Sequence, residues 1–147
     1  MSTASPITQP KLTAQGNIAP SRWITSHATI FQGAIQASDS TAIAQQLIGI
    51  SEAWTRYNPG SAADDGFIAI AGEALSYRGP GQIALLKISA TVPITVPNVL
   101  ITTDADGKGT PLPPLAETVT QYGALAIFAA AVDELVPVYI LSPFITN

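Results

Sequence analysis

Few residues in this sequence could do chemistry, and they do not form a catalytic pattern. His27 is the only histidine, so a serine-nucleophile mechanism would have to use it as the base. Ser26 is adjacent to it, but no Gly-x-Ser-x-Gly segment occurs that would expose a nucleophilic serine on a sharp turn. We therefore expect His27 to be a loop imidazole and the protein not to be an enzyme. A hydrolase that uses His27 is the alternative.

The acidic residues do not predict a metal site either. Asp104, Asp106 and Gly107 resemble the start of a calcium loop, but no glutamate closes it and prolines follow, so we expect a turn. Asp64 and Asp65 are adjacent and would point in opposite directions on an extended segment, which favours turn formation over a catalytic pair. With no cysteine there is no thiolate ligand or disulfide. We therefore predict that the protein binds no metal and no cofactor.

The most function-like cluster lies in residues 52–57. Alternation on an extended segment would place Glu52, Trp54 and Arg56 on one side, with Tyr57 beside them. Arginine and aromatic residues are enriched at interface hot spots, so one interpretation is a contact patch. The other is an internal pair of Glu52 and Arg56 framed by Trp54.

Composition favours association with other proteins. Only 11% of the 147 residues are charged, against about 25% in ordinary soluble domains, and 47% are hydrophobic. We expect copies or partners to cover part of the apolar surface. The six basic residues are scattered singly in a chain of net charge −4, which argues against nucleic-acid binding. The longest apolar run, residues 122–132, is far shorter than the ~20 residues of a membrane-spanning helix, and no signal peptide is visible.

Short β-type segments separated by turn residues predict the fold class. Residues 49–87 alternate apolar runs with Gly, Pro, Asn and Asp, which indicates a tightly turned antiparallel sheet. Residues 39–47 begin with capping residues and could form a short helix. Alanine-rich residues 116–131 have helix propensity, but bounding turns and the β-type residues 135–141 favour strand–turn–strand, with a loop at 132–134. We predict an all-β fold, a mainly antiparallel β-sandwich or partly open barrel with at most one short helix.

The two ends of the chain are predicted to make contacts. Residues 1–17 are rich in Ser, Thr, Pro and Gln and should form an extended N-terminal arm ahead of a single β domain at 18–147. The arm is either an ordinary disordered terminus or lies over a neighbouring subunit through Pro6, Pro10 and Leu12. At the other end, Phe144 and Ile145 are candidates for packing against a neighbour. Predicted interface residues are thus Pro6, Pro10, Leu12, Trp54, Arg56, Tyr57, Phe144 and Ile145.

Five segments in order give the sequence a family resemblance. Between about residues 17 and 141, the chain resembles head decoration (cement) proteins of tailed bacteriophages. The segments are GISEAWTR (49–56), DDGFIAIAG (64–72), YRGPG (77–81), DADGKG (104–109) and YGALA (122–126). The chain departs from the family pattern at Ala53-Trp54 and at residues 96–98, and residues 39–46 look like an insertion.

The resemblance implies a structural protein of the virion, made in the host cytoplasm. Such proteins bind the outer surface of the assembled head, often as homotrimers, and clamp neighbouring units of the major capsid protein. Alternatives are a tail or fibre adaptor and a carbohydrate-binding β module, the latter suggested by Trp23, Trp54 and Tyr57.

Overall fold

The computed structural model describes residues 10–38, 46–58, 60–111 and 120–146, and the secondary structure in this part of the chain is entirely strand. The strands are β1 (Leu12–Ala14), β2 (Trp23–Ser26), β3 (Gly33–Gln36), β4 (Leu47–Ser51), β5 (Ala74–Leu75), β6 (Tyr77–Arg78), β7 (Ile83–Lys87), β8 (Val99–Thr103), β9 (Gly109–Thr110), β10 (Thr120–Ala126) and β11 (Leu135–Thr146). The predicted all-β class is confirmed. Of the predicted helix at 39–47, residues 39–45 lie outside the described part, and Leu47 opens β4.

The strands form two sheets. The first sheet has the order β5-β1-β3-β2-β4-β6, and the second has the order β7-β11-β10-β8-β9. Neighbouring strands run antiparallel except β1 and β3, which are parallel. The mainly antiparallel sandwich predicted from the turn-rich sequence is therefore present.

The main core lies between the two sheets. Trp23, Leu47 and Ile50 from the first sheet meet the inward side chains of the second sheet there. Trp23 is fully buried, and its indole Nε1 donates a hydrogen bond to the carbonyl oxygen of Thr102 at 3.1 Å. This bond satisfies the polar atom of the largest buried side chain and connects the two sheets.

A second core covers the far side of the first sheet. Neighbouring strand residues point to opposite faces, so Ile24 points away from the main core that contains Trp23. Ile24 packs in a separate buried cluster with Leu12, Ile18 and Ile68. Ile68 belongs to the long connection 52–73, which is held to residue 18 by backbone hydrogen bonds of 2.9 Å. The chain itself therefore covers one face of the first sheet and part of the other.

The prediction of one tightly turned sheet over residues 49–87 is wrong. These residues are divided between the two sheets, and the described part of the connection 52–73 contains no strand, only an isolated bridge at Ala69. The Asp64 carboxylate accepts the Gly66 N–H at 3.0 Å, and Asp65 accepts the Phe67 N–H at 3.1 Å. These local bonds occupy backbone donors that a sheet ladder would need, so turns replace strands.

The predicted arm boundary at residue 17 also differs from the structure. Leu12–Ala14 is strand β1 of the chain's own first sheet, paired with β3 and β5. Leu12 and Ala14 are buried, because alternate residues of this short strand point into the second core. Residues 1–9, including Pro6, lie outside the described part.

The strand–turn–strand predicted for the C-terminal part of the chain is confirmed, because β10 and β11 pair antiparallel. The alanine content of residues 116–131 alone favours a helix. The inward residues of the two strands, Ala124, Ala126, Val138 and Ile140, are all buried in the main core. Small side chains on β10 leave room there for the residues of the facing sheet. Tertiary packing thus overrides helix propensity at this site.

Candidate functional site

The second sheet presents an apolar face to the outside. The residues that alternate with its core positions point away from the core. We call this surface the outer face. It consists of the exposed Ile83, Leu85, Leu100, Leu135 and Tyr139 and the half-buried Leu125 and Pro137.

The register places outer-face residues from four strands in one continuous row. Ile83 on β7 is opposite Tyr139 on β11, Tyr139 is opposite Leu125 on β10, and Leu125 is opposite Leu100 on β8. Cross-strand partners lie within contact distance of one another, so the row is a single patch. Ile83 and Tyr139 are 51% and 41% exposed. Lys87, opposite Leu135, places a charge at one end of the face.

This exposure contrasts with the first sheet. The connection 52–73 packs on the first sheet's far side, whereas the outer face has no covering segment among the described residues. A contiguous apolar surface of this kind marks an interaction site more often than scattered exposed hydrophobic residues do. The arrangement can bind an apolar surface.

The outer face was not predicted from the sequence, although the sequence contains a signal for it. A strand with one wet face alternates apolar and polar residues, whereas IALL (83–86) and LVPVYIL (135–141) are continuously apolar. Such runs predict that both faces of a strand are covered. Among the described residues, other parts of the chain cover only the inner face.

Arg56 does not pair with Glu52 but anchors the connection 52–73. Its Nη1 contacts the Asp65 carboxylate at 2.9 Å, and its Nη2 contacts the Glu73 carboxylate at 2.6 Å. The guanidinium also lies 4.6 Å from the centre of the Tyr57 ring. Glu52 instead pairs with Arg78 at 3.0 Å. The predicted internal Glu52–Arg56 pair is therefore wrong, because the segment turns and does not extend.

These ion pairs shift the pKa values of the acids. The hydrogen bond from Arg56 lowers the pKa of Glu73, with a further contribution from the Ile70 N–H. The pKa of Asp65 is lowered chiefly by the Phe67 N–H and then by Arg56. The pKa of Arg56 is raised, first by its hydrogen bond to Glu73. All three groups are thus held in their charged forms.

The aromatic residues behind the carbohydrate-binding alternative are separated. Trp54 and Tyr57 are exposed in the connection 52–73, at 55% and 43%, but Trp23 is fully buried between the sheets. Trp23 therefore cannot stack on a ligand from solvent. Trp54 and Tyr57 remain accessible as predicted contact residues.

The other predicted contact residues occupy different places. Pro10 is exposed, and its carbonyl accepts a hydrogen bond from the Tyr77 hydroxyl at 2.7 Å. Leu12 is 9% exposed within the second core. Phe144 and Ile145 lie on β11, paired with Tyr122 and Gln121 of β10, and their side chains are outside the described part.

The residues considered for catalysis and metal binding have structural partners. The His27 Nδ1 accepts the N–H groups of Thr29 and Ile30 at 3.2 and 3.1 Å. One Asp104 carboxylate oxygen accepts the N–H groups of Asp106 and Lys108, and Gly107 has a φ of 73°, so this segment is a turn. No group of three metal-binding side chains is present across residues 10–38, 46–58, 60–111 and 120–146. In those same ranges, no helix has the length and apolar character needed to cross a membrane.

Comparison with known proteins shows similarity at the level of structure. No protein-family model matches the chain, and no curated protein matches it in sequence. Among solved structures, the chain is similar to the N base of the head fiber gp8.5 of bacteriophage phi29. The TM-score is 0.48 and the identity is 17%, over 93% of this chain and 96% of that chain. A likeness at this level establishes neither a shared family nor a shared function.

Proposed function

We propose that this chain is a decoration protein of a tailed-bacteriophage head, which binds the outer surface of the assembled shell and stabilises contacts between neighbouring capsid subunits. It acts by binding and does no catalysis. Its partners are the major capsid protein and further copies of itself, as a homotrimer. Five sequence segments resemble those of head decoration proteins and occur in the same order. This resemblance favours a phage head as the partner over other apolar surfaces.

The single observation that carries the proposal is the outer face. A row of apolar side chains crosses four strands of a sheet whose other side is fully packed. With only 11% charged residues, the chain cannot surround this face with the usual number of charges. Binding to a shell removes the face from water, which is the favourable term in such association.

Stabilisation of the shell follows from mass action. A protein that binds the assembled shell and not its separated subunits shifts the equilibrium toward assembly. Repeated copies on a lattice add avidity, because a trimer that engages one subunit has its other copies already close to their sites. Modest contacts by each copy are then sufficient for stable attachment.

The experiment is co-sedimentation of the purified protein with expanded, undecorated shells of the phage that encodes it. We expect saturable binding and a higher temperature of shell disruption. Unexpanded shells are the matched control, and they should bind less. Absence of binding to expanded shells, or binding with no change in heat resistance, would argue against the proposal.

A further inference from the structure

The turn that joins β2 to β3 presents an aromatic side chain to solvent. Phe31, at the tip of this turn, is 90% exposed, and Ile30 beside it is 45% exposed. The turn is held by the His27 N–H to the Gly33 carbonyl at 2.8 Å and by the Gly33 N–H to the Ile30 carbonyl at 3.0 Å. The His27 imidazole also accepts two N–H groups of the turn. Phe31 is thus displayed on an internally bonded support, so little backbone order would be lost on binding.

The same turn borders a cavity of about 470 Å³. This volume is within the range of ~300–1,000 Å³ that is typical of ligand pockets. Ile30 and His27 form one side of the cavity, and Leu12, Ile48 and Tyr77 contribute to the others. None of the described residues that line it carries a formal charge with His27 neutral. The hydrogen bond from the Tyr77 hydroxyl to the Pro10 carbonyl fixes part of its wall.

We infer that the cavity of one copy receives Phe31 of a second copy of this chain. An uncharged aromatic side chain and an uncharged, largely apolar cavity are chemically complementary, and burial of either requires no ion to be desolvated. Because both features occur on one chain, a rotation axis can place each Phe31 in the next copy's cavity and leave neither feature unfilled. Such an anchor in a pocket is typical of interface hot spots.

This contact leaves the outer face available. Leu12, Ile48 and Tyr77 belong to or pack against the second core, on the side of the first sheet that faces away from the second sheet. The outer face is on the opposite side of the sandwich. The inference rests on the self-association included in the proposed function, but it does not depend on shell binding.

The test is the association state of the purified full chain in solution, measured by sedimentation equilibrium. Phe31→Lys should weaken self-association by about tenfold or more, because it places a charge in the apolar cavity. Phe128→Lys is the matched control, since Phe128 is also an exposed phenylalanine, at 57%, but lies between β10 and β11. It should leave association unchanged. Thermal unfolding of both variants should resemble that of the wild type, because both side chains are exposed.

A cross-linking experiment tests the pairing directly, since the chain has no cysteine. Gln46 lines the cavity. Chains carrying Phe31→Cys, mixed with chains carrying Gln46→Cys and oxidised, should form a mixed disulfide, whereas Phe128→Cys with Gln46→Cys should not.

Three results would overturn the inference. These are a monomeric wild type, unchanged association of Phe31→Lys, or loss of association on deletion of residues 1–9 while Phe31→Lys still associates. The last would indicate that residues 1–9, and not Phe31, hold the copies together. Loss of shell binding with intact self-association would contradict the proposed function and leave this inference standing.

Discussion

Gly123 on β10 lies directly against the indole ring of Trp23 from the opposite sheet. A Cβ atom at position 123 would be 2.8 Å from Cη2 of Trp23, closer than packed carbon atoms approach. Gly123 sits at the irregularity in the β10–β11 pairing, between Tyr122 and Ala124. The missing side chain is therefore what allows the tryptophan to fill the space between the sheets.

Gly123→Ala is expected to destabilise the fold by about 1–3 kcal/mol, because the buried ring or the strand must move. The measurement is the free energy of unfolding in urea. Gly16→Ala is the control, since a Cβ there meets nothing within 4 Å. Equal stability of the two variants would show that the sheets do not pack as described.

Trp23→Phe is expected to cost about 1–3 kcal/mol of unfolding free energy. The smaller ring leaves unfilled volume and cannot donate to the Thr102 carbonyl as the indole does at 3.1 Å. Urea unfolding monitored by circular dichroism measures the loss. A variant as stable as the wild type would contradict the burial of this residue.

Acid should release the connection 52–73. The pKa values of Asp65 and Glu73 are lowered in the folded protein, so their ion pairs with Arg56 contribute stability above the unfolded pKa values. That contribution is lost as pH falls through the lower folded pKa values. We expect proteolytic cleavage within 52–73 to accelerate as pH is lowered from about 6 to about 3, using an acid-active protease.

Arg56→Gln is the matched variant for this acid dependence. Glutamine cannot form the two ion pairs, so cleavage should already be faster at about pH 6 and should depend less on acid. Some dependence should persist, because the largest cause of the lowered Asp65 pKa is the Phe67 N–H. Identical pH profiles for wild type and variant would show that Arg56 does not hold the connection.

Substitutions on the outer face and in the connection 52–73 should affect shell binding differently. Tyr139→Ser should weaken binding to expanded shells by about tenfold or more, because Tyr139 is central to the outer face. Trp54→Ser removes a comparably exposed aromatic side chain from the connection 52–73 and should bind nearly as the wild type does. Co-sedimentation at several concentrations measures both. The reverse result would place the shell contact at the cluster predicted from the sequence.

Local chemistry made part of this structure predictable from sequence. The Asp104–Gly107 turn and the pairing of β10 with β11 follow from turn residues and β-type runs. The ion-pair partners of Arg56 could not be predicted from local sequence. Asp65 and Glu73 are 9 and 17 residues away, and they reach Arg56 only because the connection folds back over the first sheet.

The outer face was also beyond the sequence, for a different reason. A continuously apolar strand shows that both faces favour burial, but not which face is covered by the chain itself and which awaits a partner. Only the register, which puts Tyr139 between Ile83 and Leu125, separates the outer face from the core.

An electron cryomicroscopy reconstruction of the virion that carries this chain would show directly whether the outer face contacts the shell. We expect density for the chain on the outside of the shell, with Leu85 and Tyr139 directed toward the major capsid protein. Density at the tail alone, or a shell-bound chain whose outer face is turned to solvent, would contradict it.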